Sequence, residues 1–137
     1  MAKILIGGPE GEEKDIHDDL VARLRQEHEV TYLKNDGQGM FWELTKTPLL
    51  AKEQRYDLVL YDSDLFYPGT TPEKKLECFE VLTARYLTNA QTQVVVLAEM
   101  NLAMKLRPLV EKAGFIQIDE PYNLEQTIYK ITNILAK

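Results

Sequence analysis

The chain has 137 residues, 45% of them hydrophobic, enough for one compact core of ordinary domain size. A net charge of −6, from 22 acidic and 16 basic residues, removes the clustered cationic surface that phosphate-backbone binding requires, so direct nucleic-acid contact is not expected. No stretch approaches the ~20 apolar residues of a membrane span, the apolar run Ile4 to Ile6 is too short for a signal peptide, and the single Cys78 forms no internal disulfide, so a reducing, cytoplasmic setting is expected.

No internal repeat, low-complexity tract or linker interrupts the pattern, and residues 1–137 read as a single domain. Lys3 to Ile6 is a short buried strand ended by Gly7, Gly8 and Pro9, followed by Ile16, Leu20, Val21 and Leu24 at helical spacing. Val30 to Leu33 is a second strand. The turn signal Asn35-Asp36-Gly37 then precedes a helical stretch from about Met40 to Lys52, bent or shortened at Pro48. Asp57 to Tyr61 reads as a central strand buried on both faces. Pro72 to Leu87 carries Leu76, Phe79, Val81, Leu82 and Tyr86 at helical spacing. Gln93 to Leu97 is the most strand-like segment. Leu102, Leu106, Leu109, Val110 and Ala113 mark a helix that Gly114 is placed to cap. Phe115 to Ile118 is the fifth strand, and Leu124, Ile128, Ile131 and Leu135 stripe a last helix.

Five strand–helix alternations predict an α/β protein, a doubly wound (βα)5 three-layer sandwich of flavodoxin-like type with a parallel sheet in the order 2-1-3-4-5. Ligands on such sheets bind beyond the carboxyl ends of the strands. The segments of interest are therefore Gly7 to Glu13, Asp62 to Gly69, Ala98 to Asn101 and Asp119 to Asn123. Gly7-Gly8-Pro9-Glu10-Gly11 matches no phosphate-binding fingerprint, and Glu10, Glu12 and Glu13 would repel an anion, so a plain turn is the favoured reading. Asp62 and Asp64 serve either as caps or as functional carboxylates. In the expected strand order Asp62 projects beside Glu10 and Glu120, where close carboxylates raise a pKa or recruit a cation. His17 and His28 have no partner at metal-ligand spacing and read as surface residues, Ser63 lacks the setting of a hydrolase nucleophile, and Phe41 and Trp42 read as core.

Across nearly the whole chain these segments resemble CheY-like receiver domains of response regulators. Tyr56 to Asp62 resembles the strand leading to that family's phospho-accepting aspartate, with Asp62 as the matching residue, and Pro68-Gly69 resembles the proline and glycine that follow. Asp119-Glu120-Pro121-Tyr122-Asn123 resembles the segment before the last helix, in which the resemblance implies a cis Glu120-Pro121 peptide. Ala98 and Glu120, 22 positions apart, match the switch hydroxyl residue and the lysine. Gly8 and Pro9 stand where the family carries two Mg²⁺-holding acids, leaving Glu10 nearby. A hydroxyl is thus replaced by a methyl and a cation by an anion, both against phosphoryl transfer. Extra residues precede the first helix and lie between Asp62 and Ala98, bringing Tyr67, Thr70 and Thr71 to the border of the site.

The resulting expectation is a non-enzymatic pseudo-receiver that binds protein partners without phosphorylation and without a cofactor. By resemblance its contact face is formed by the last two helices and the fifth strand, with Lys105, Arg107, Gln117, Tyr122, Tyr129 and Lys130 as candidates. One alternative is a divergent phospho-receiver in which Asp62 accepts phosphate and Glu10, Asp62 and Asp64 hold Mg²⁺. Another is a flavodoxin-like enzyme or nucleotide-binding protein using the same sheet edge.

Overall fold

Alternate side chains of a strand leave opposite faces of a sheet, and in this chain both faces are apolar. The computed structural model describes residues 1–7, 16–33, 55–62, 71, 73, 76, 77, 80 and 92–136, with the side chains of Ile16, His17, Leu33 and Tyr61 set aside. In chain order the elements are β1 (Lys3–Gly7), α1 (Ile16–Leu24), β2 (Glu29–Leu33), β3 (Leu58–Asp62), β4 (Gln93–Ala98), α2 (Ala103–Lys112), β5 (Ile116–Asp119) and α3 (Leu124–Leu135). Glu73, Leu76, Glu77 and Glu80 also have helical backbone, in the stretch expected to be a helix. The expected helix from Met40 to Lys52 lies outside the described residues.

The five strands form one parallel sheet in the order β2-β1-β3-β4-β5, as expected. Ile4, Ile6, Leu58, Leu60, Val95, Leu97 and Ile118 pack on one face against Leu20 and Leu24 of α1 and Ile131 and Ile134 of α3. Leu5, Val59, Val94 and Val96 pack on the other against Leu106 and Val110 of α2, with Leu76 beside them. Two cores therefore share one sheet, which explains why β3 and β4 read as continuous apolar runs. Each such side chain contributes roughly 1.5–3 kcal/mol when fully buried.

The strand ends differ by a residue from the sequence reading. β1 takes in Gly7, β3 takes in Asp62 and β4 takes in Ala98, because the ladder partners Gly7–Tyr61, Asp62–Leu97 and Ala98–Asp119 carry the pairing onward. β5 starts at Ile116, since Phe115 N–H donates instead to Val110 O at 3.0 Å and Gly114 N–H to Glu111 O at 3.0 Å, closing α2. Gly114 has φ +77°, a conformation open to glycine and costly for other residues. His28 is half-buried rather than on the surface, its Nδ1 accepting the Ala2 N–H at 3.1 Å.

Candidate functional site

The carboxyl edge of the sheet is assembled by the last residues of neighbouring strands. Asp62 ends β3 and is 4% exposed, Ala98 ends β4 and is fully buried, and Asp119 ends β5 opposite Ala98. Glu120 N–H donates to Ala98 O at 3.0 Å, so the pairing of β4 and β5 runs one residue past the strand and sets half-buried Glu120 beside Ala98. The Glu120-Pro121 peptide is cis. With strands ~4.8 Å apart, Asp62, Ala98 and Glu120 fall on three consecutive strand ends within about 10 Å. This brings together three of the residues singled out from the sequence. Gly8, Pro9, Glu10 and Asp64 lie outside the described residues, as do Ser63, Phe41, Trp42, Cys78, Tyr67, Thr70 and Pro68-Gly69. Thr71 is exposed. Among the described residues no three acidic, histidine or cysteine side chains converge as a metal site.

The expected contact face divides. Arg107 of α2, Gln117 of β5 and Lys130 of α3 line one cavity of about 250 Å³, together with Asp119, Asn123 and Gln126. At its wall Gln117 Nε2 donates to Ala103 O at 2.9 Å and to Asp119 Oδ1 at 2.6 Å, while the Arg107 guanidinium binds Asp119 Oδ2. This chain of contacts fastens the first turns of α2 to the end of β5, adjoining Ala98 and Glu120. Arg107 also precedes Pro108, which removes one backbone donor from the middle of α2.

The other candidates go elsewhere. Lys105 leaves the opposite flank of α2 and meets Glu73 at 3.5 Å. Tyr129 is 69% exposed but lies one turn after Glu125, on the flank of α3 that Arg23 of α1 bridges with bonds of 2.6 and 3.2 Å. Tyr122 is half-buried against the core shared by α1 and α3, and Gln117 is half-buried too. Gln126 on the same side of the cavity was missed, although it stands four residues before Lys130 in a helix and therefore shares its face.

A larger hollow of about 390 Å³ lies at the amino edge of the sheet, between His28, Asp57, Gln93 and the end of α3. Two of its polar groups hold the strand starts: His28 Nδ1 accepts the Ala2 N–H, and Asp57 Oδ2 accepts the Lys3 N–H at 2.7 Å. That arrangement braces β1 and, among the described residues, presents no catalytic grouping.

No protein-family model and no curated protein matches this sequence. Solved structures do. The receiver domain of the Francisella response regulator 1452 is similar, with a TM-score of 0.65 and 16% identity over 99% of this chain and 98% of that one. The regulatory domain of the repressor of iron transport regulator, RitR, gives 0.67 and 18% over 99% and 96%. A member of a streptococcal family of redox sensors evolved from two-component response regulators gives 0.67 and 17%, over 99% of this chain and 52% of that one. At these identities the likeness establishes the fold, and the chain has the fold of the CheY-like receiver domains.

Proposed function

We propose that the protein is a receiver-fold signalling module that works by binding a protein partner, without phosphoryl transfer to Asp62. The observation that carries this reading is the pairing of Ala98 with Glu120 at the carboxyl edge, one and two strands from Asp62. A phosphoryl group brings a charge of about −2. At ~8 Å and an effective dielectric of about 20, one pair of unit charges interacts by ~2 kcal/mol, so an anion where a cation is needed opposes that charge by several kcal/mol. Ala98 supplies no hydroxyl to the transferred group, and Gly8 and Pro9 offer no side-chain oxygen to Mg²⁺, so the donor set does not match a paired-acid metal site.

The part left for function is the scaffold and its surface. The streptococcal redox sensors supply a precedent for the receiver fold serving another signal. The competing reading, a divergent phospho-receiver, is favoured by the placement of Asp62 at the end of the central strand. Incubation with acetyl phosphate and Mg²⁺, followed by intact-mass measurement, separates the two. The expected result is no added phosphoryl mass on the wild type, with Asp62→Asn binding the partner as the wild type does. Phosphorylation lost in Asp62→Asn would overturn the proposal.

A further inference from the structure

We infer that His28 is an acid-sensitive latch on the first strand: protonation of its imidazole releases Ala2 and opens the hollow at the amino edge of the sheet, while the chain from Lys3 onward stays paired. The latch lies at the opposite edge from Asp62 and is independent of the partner-binding reading above.

Two consecutive backbone donors at the start of β1 are each met by a titratable side chain. Ala2 N–H donates to His28 Nδ1 at 3.1 Å, and Lys3 N–H donates to Asp57 Oδ2 at 2.7 Å. Each residue is also tied through its carbonyl. Glu29 N–H donates to Ala2 O at 2.9 Å, and Asp57 N–H donates to Lys3 O at 2.8 Å. Ala2 is thus bound on the β2 side and Lys3 on the β3 side. A proton acts differently on the two acceptors. A backbone N–H can only donate, so Nδ1 of His28 must offer its lone pair, with the ring neutral and its proton on Nε2. The imidazolium carries N–H at both nitrogens and sets donor against donor at Ala2. A carboxyl group keeps a carbonyl oxygen as acceptor even when protonated, so the Lys3 contact survives. Histidine side chains change charge between about pH 5 and 8. The His28 contribution is therefore present in the neutral ring and lost as pH falls through that range.

The surroundings give the charged ring a second place to go. Among the residues that line its hollow of about 390 Å³, Asp57 before β3 and Met1, through its amino group, are titratable, whereas Gln93 of β4 and Ile134 and Leu135 of α3 are not. Glu27 and Glu29 flank His28 in sequence. Arg25 donates to Val30 O at 3.4 Å, and Lys3 Nζ stands over the Tyr56 ring, 4.9 Å from its centre. A positive ring is drawn toward the Asp57 carboxylate and away from the Ala2 donor, so the latch has two states that a proton selects between. Ala2 packs with the core that contains Ile134, and its release uncovers that corner of α3.

The test is amide hydrogen exchange of the ¹⁵N-labelled full chain at about pH 7.5 and about pH 5, each rate corrected for the intrinsic pH dependence of exchange. Protection of Glu29 N–H, together with Ala2 N–H, is expected to fall about fivefold on acidification, the worth of one hydrogen bond. Asp57 and Leu5 N–H should keep theirs. The imidazole resonances of His28 should show the proton on Nε2 alone at the higher pH. His28→Asn puts an amide oxygen where Nδ1 stands and has no proton to gain, so its Glu29 protection should not depend on pH. Loss of protection at Asp57 in step with Glu29, no loss at Glu29, a proton on Nδ1 at the higher pH, or the same pH dependence in His28→Asn would each overturn the latch.

Discussion

Glu120 donates its backbone N–H to the carbonyl oxygen of Ala98 at 3.0 Å, tying these two positions of the carboxyl edge into one hydrogen-bonded unit. Because the bond is between backbone groups, the side chain at position 120 can be exchanged without breaking it. The charge at this edge is therefore separable from its geometry.

Glu120→Lys is expected to keep the fold and to bind beryllofluoride with Mg²⁺ at least tenfold above the detection limit that bounds the wild type, which is expected to show no saturable binding, since ~2 kcal/mol per charge pair exceeds the 1.4 kcal/mol of a tenfold change. Isothermal titration compares the two proteins. Equal absence of binding in both would show that charge at this position does not decide the matter.

Gln117→Ala removes the bonds to Ala103 O and Asp119 Oδ1. Each is worth roughly 1 kcal/mol, but Gln117 Oε1 is buried without a hydrogen-bond partner, and its removal offsets part of the loss. The expected net destabilisation is about 1 kcal/mol in urea unfolding, with faster hydrogen exchange at Leu106 N–H in the first turns of α2. Unchanged exchange there would mean that the Gln117 contacts do not hold α2.

The bridge between Arg23 and Glu125 gives a pH dependence of known sign. The Arg23 hydrogen bond, and then its charge, hold the Glu125 carboxyl below its ordinary value. A depressed carboxylate contributes stability above the unfolded pKa, about 4.3, and loses it as pH falls through the lower folded value. Wild type should therefore exceed Glu125→Gln in urea midpoint at about pH 7 and match it once the carboxyl is protonated. The side chains are 40% and 71% exposed, so the difference should be small and should shrink with salt. A gap that grew on acidification would refute the assignment.

Two substitutions separate packing from backbone strain. Leu60, fully buried in the core under α1 and α3, should lose about 2–5 kcal/mol as Leu60→Ala. Gly114→Ala meets nothing within 4 Å, so its cost should be the ~1–2 kcal/mol of a left-handed residue alone. Chemical denaturation measures both, and a Gly114→Ala protein as stable as wild type would contradict the backbone argument.

The strand order was legible because buried apolar runs alternate with helical stripes, a pattern that right-handed crossovers convert into few topologies. The cap at Gly114 was legible for the same local reason, a glycine after the last apolar helical residue. Strand ends were not, since Gly7 and Asp62 are turn formers by composition yet are held in the ladder by partners on the next strand. The site was partly legible. Asp62, Ala98 and Glu120 follow from strand ends, but Lys105 and Arg107 leave α2 on opposite flanks, a divergence visible in the helical spacing once the buried stripe Ala103, Leu106 and Val110 is fixed. The inward reach of Gln117 had one sequence signal, a polar residue between Ile116 and Ile118 on a strand covered on both faces.

The central claim is that Asp62 has no working phosphoryl site around it. NMR titration of the labelled chain with Mg²⁺ and then beryllofluoride, in wild type and in Asp62→Asn, tests it most directly. The account predicts that neither protein shows saturable shifts at Asp62, Ala98 or Glu120. Saturable shifts at those residues in the wild type, absent from Asp62→Asn, would contradict it and restore the divergent phospho-receiver.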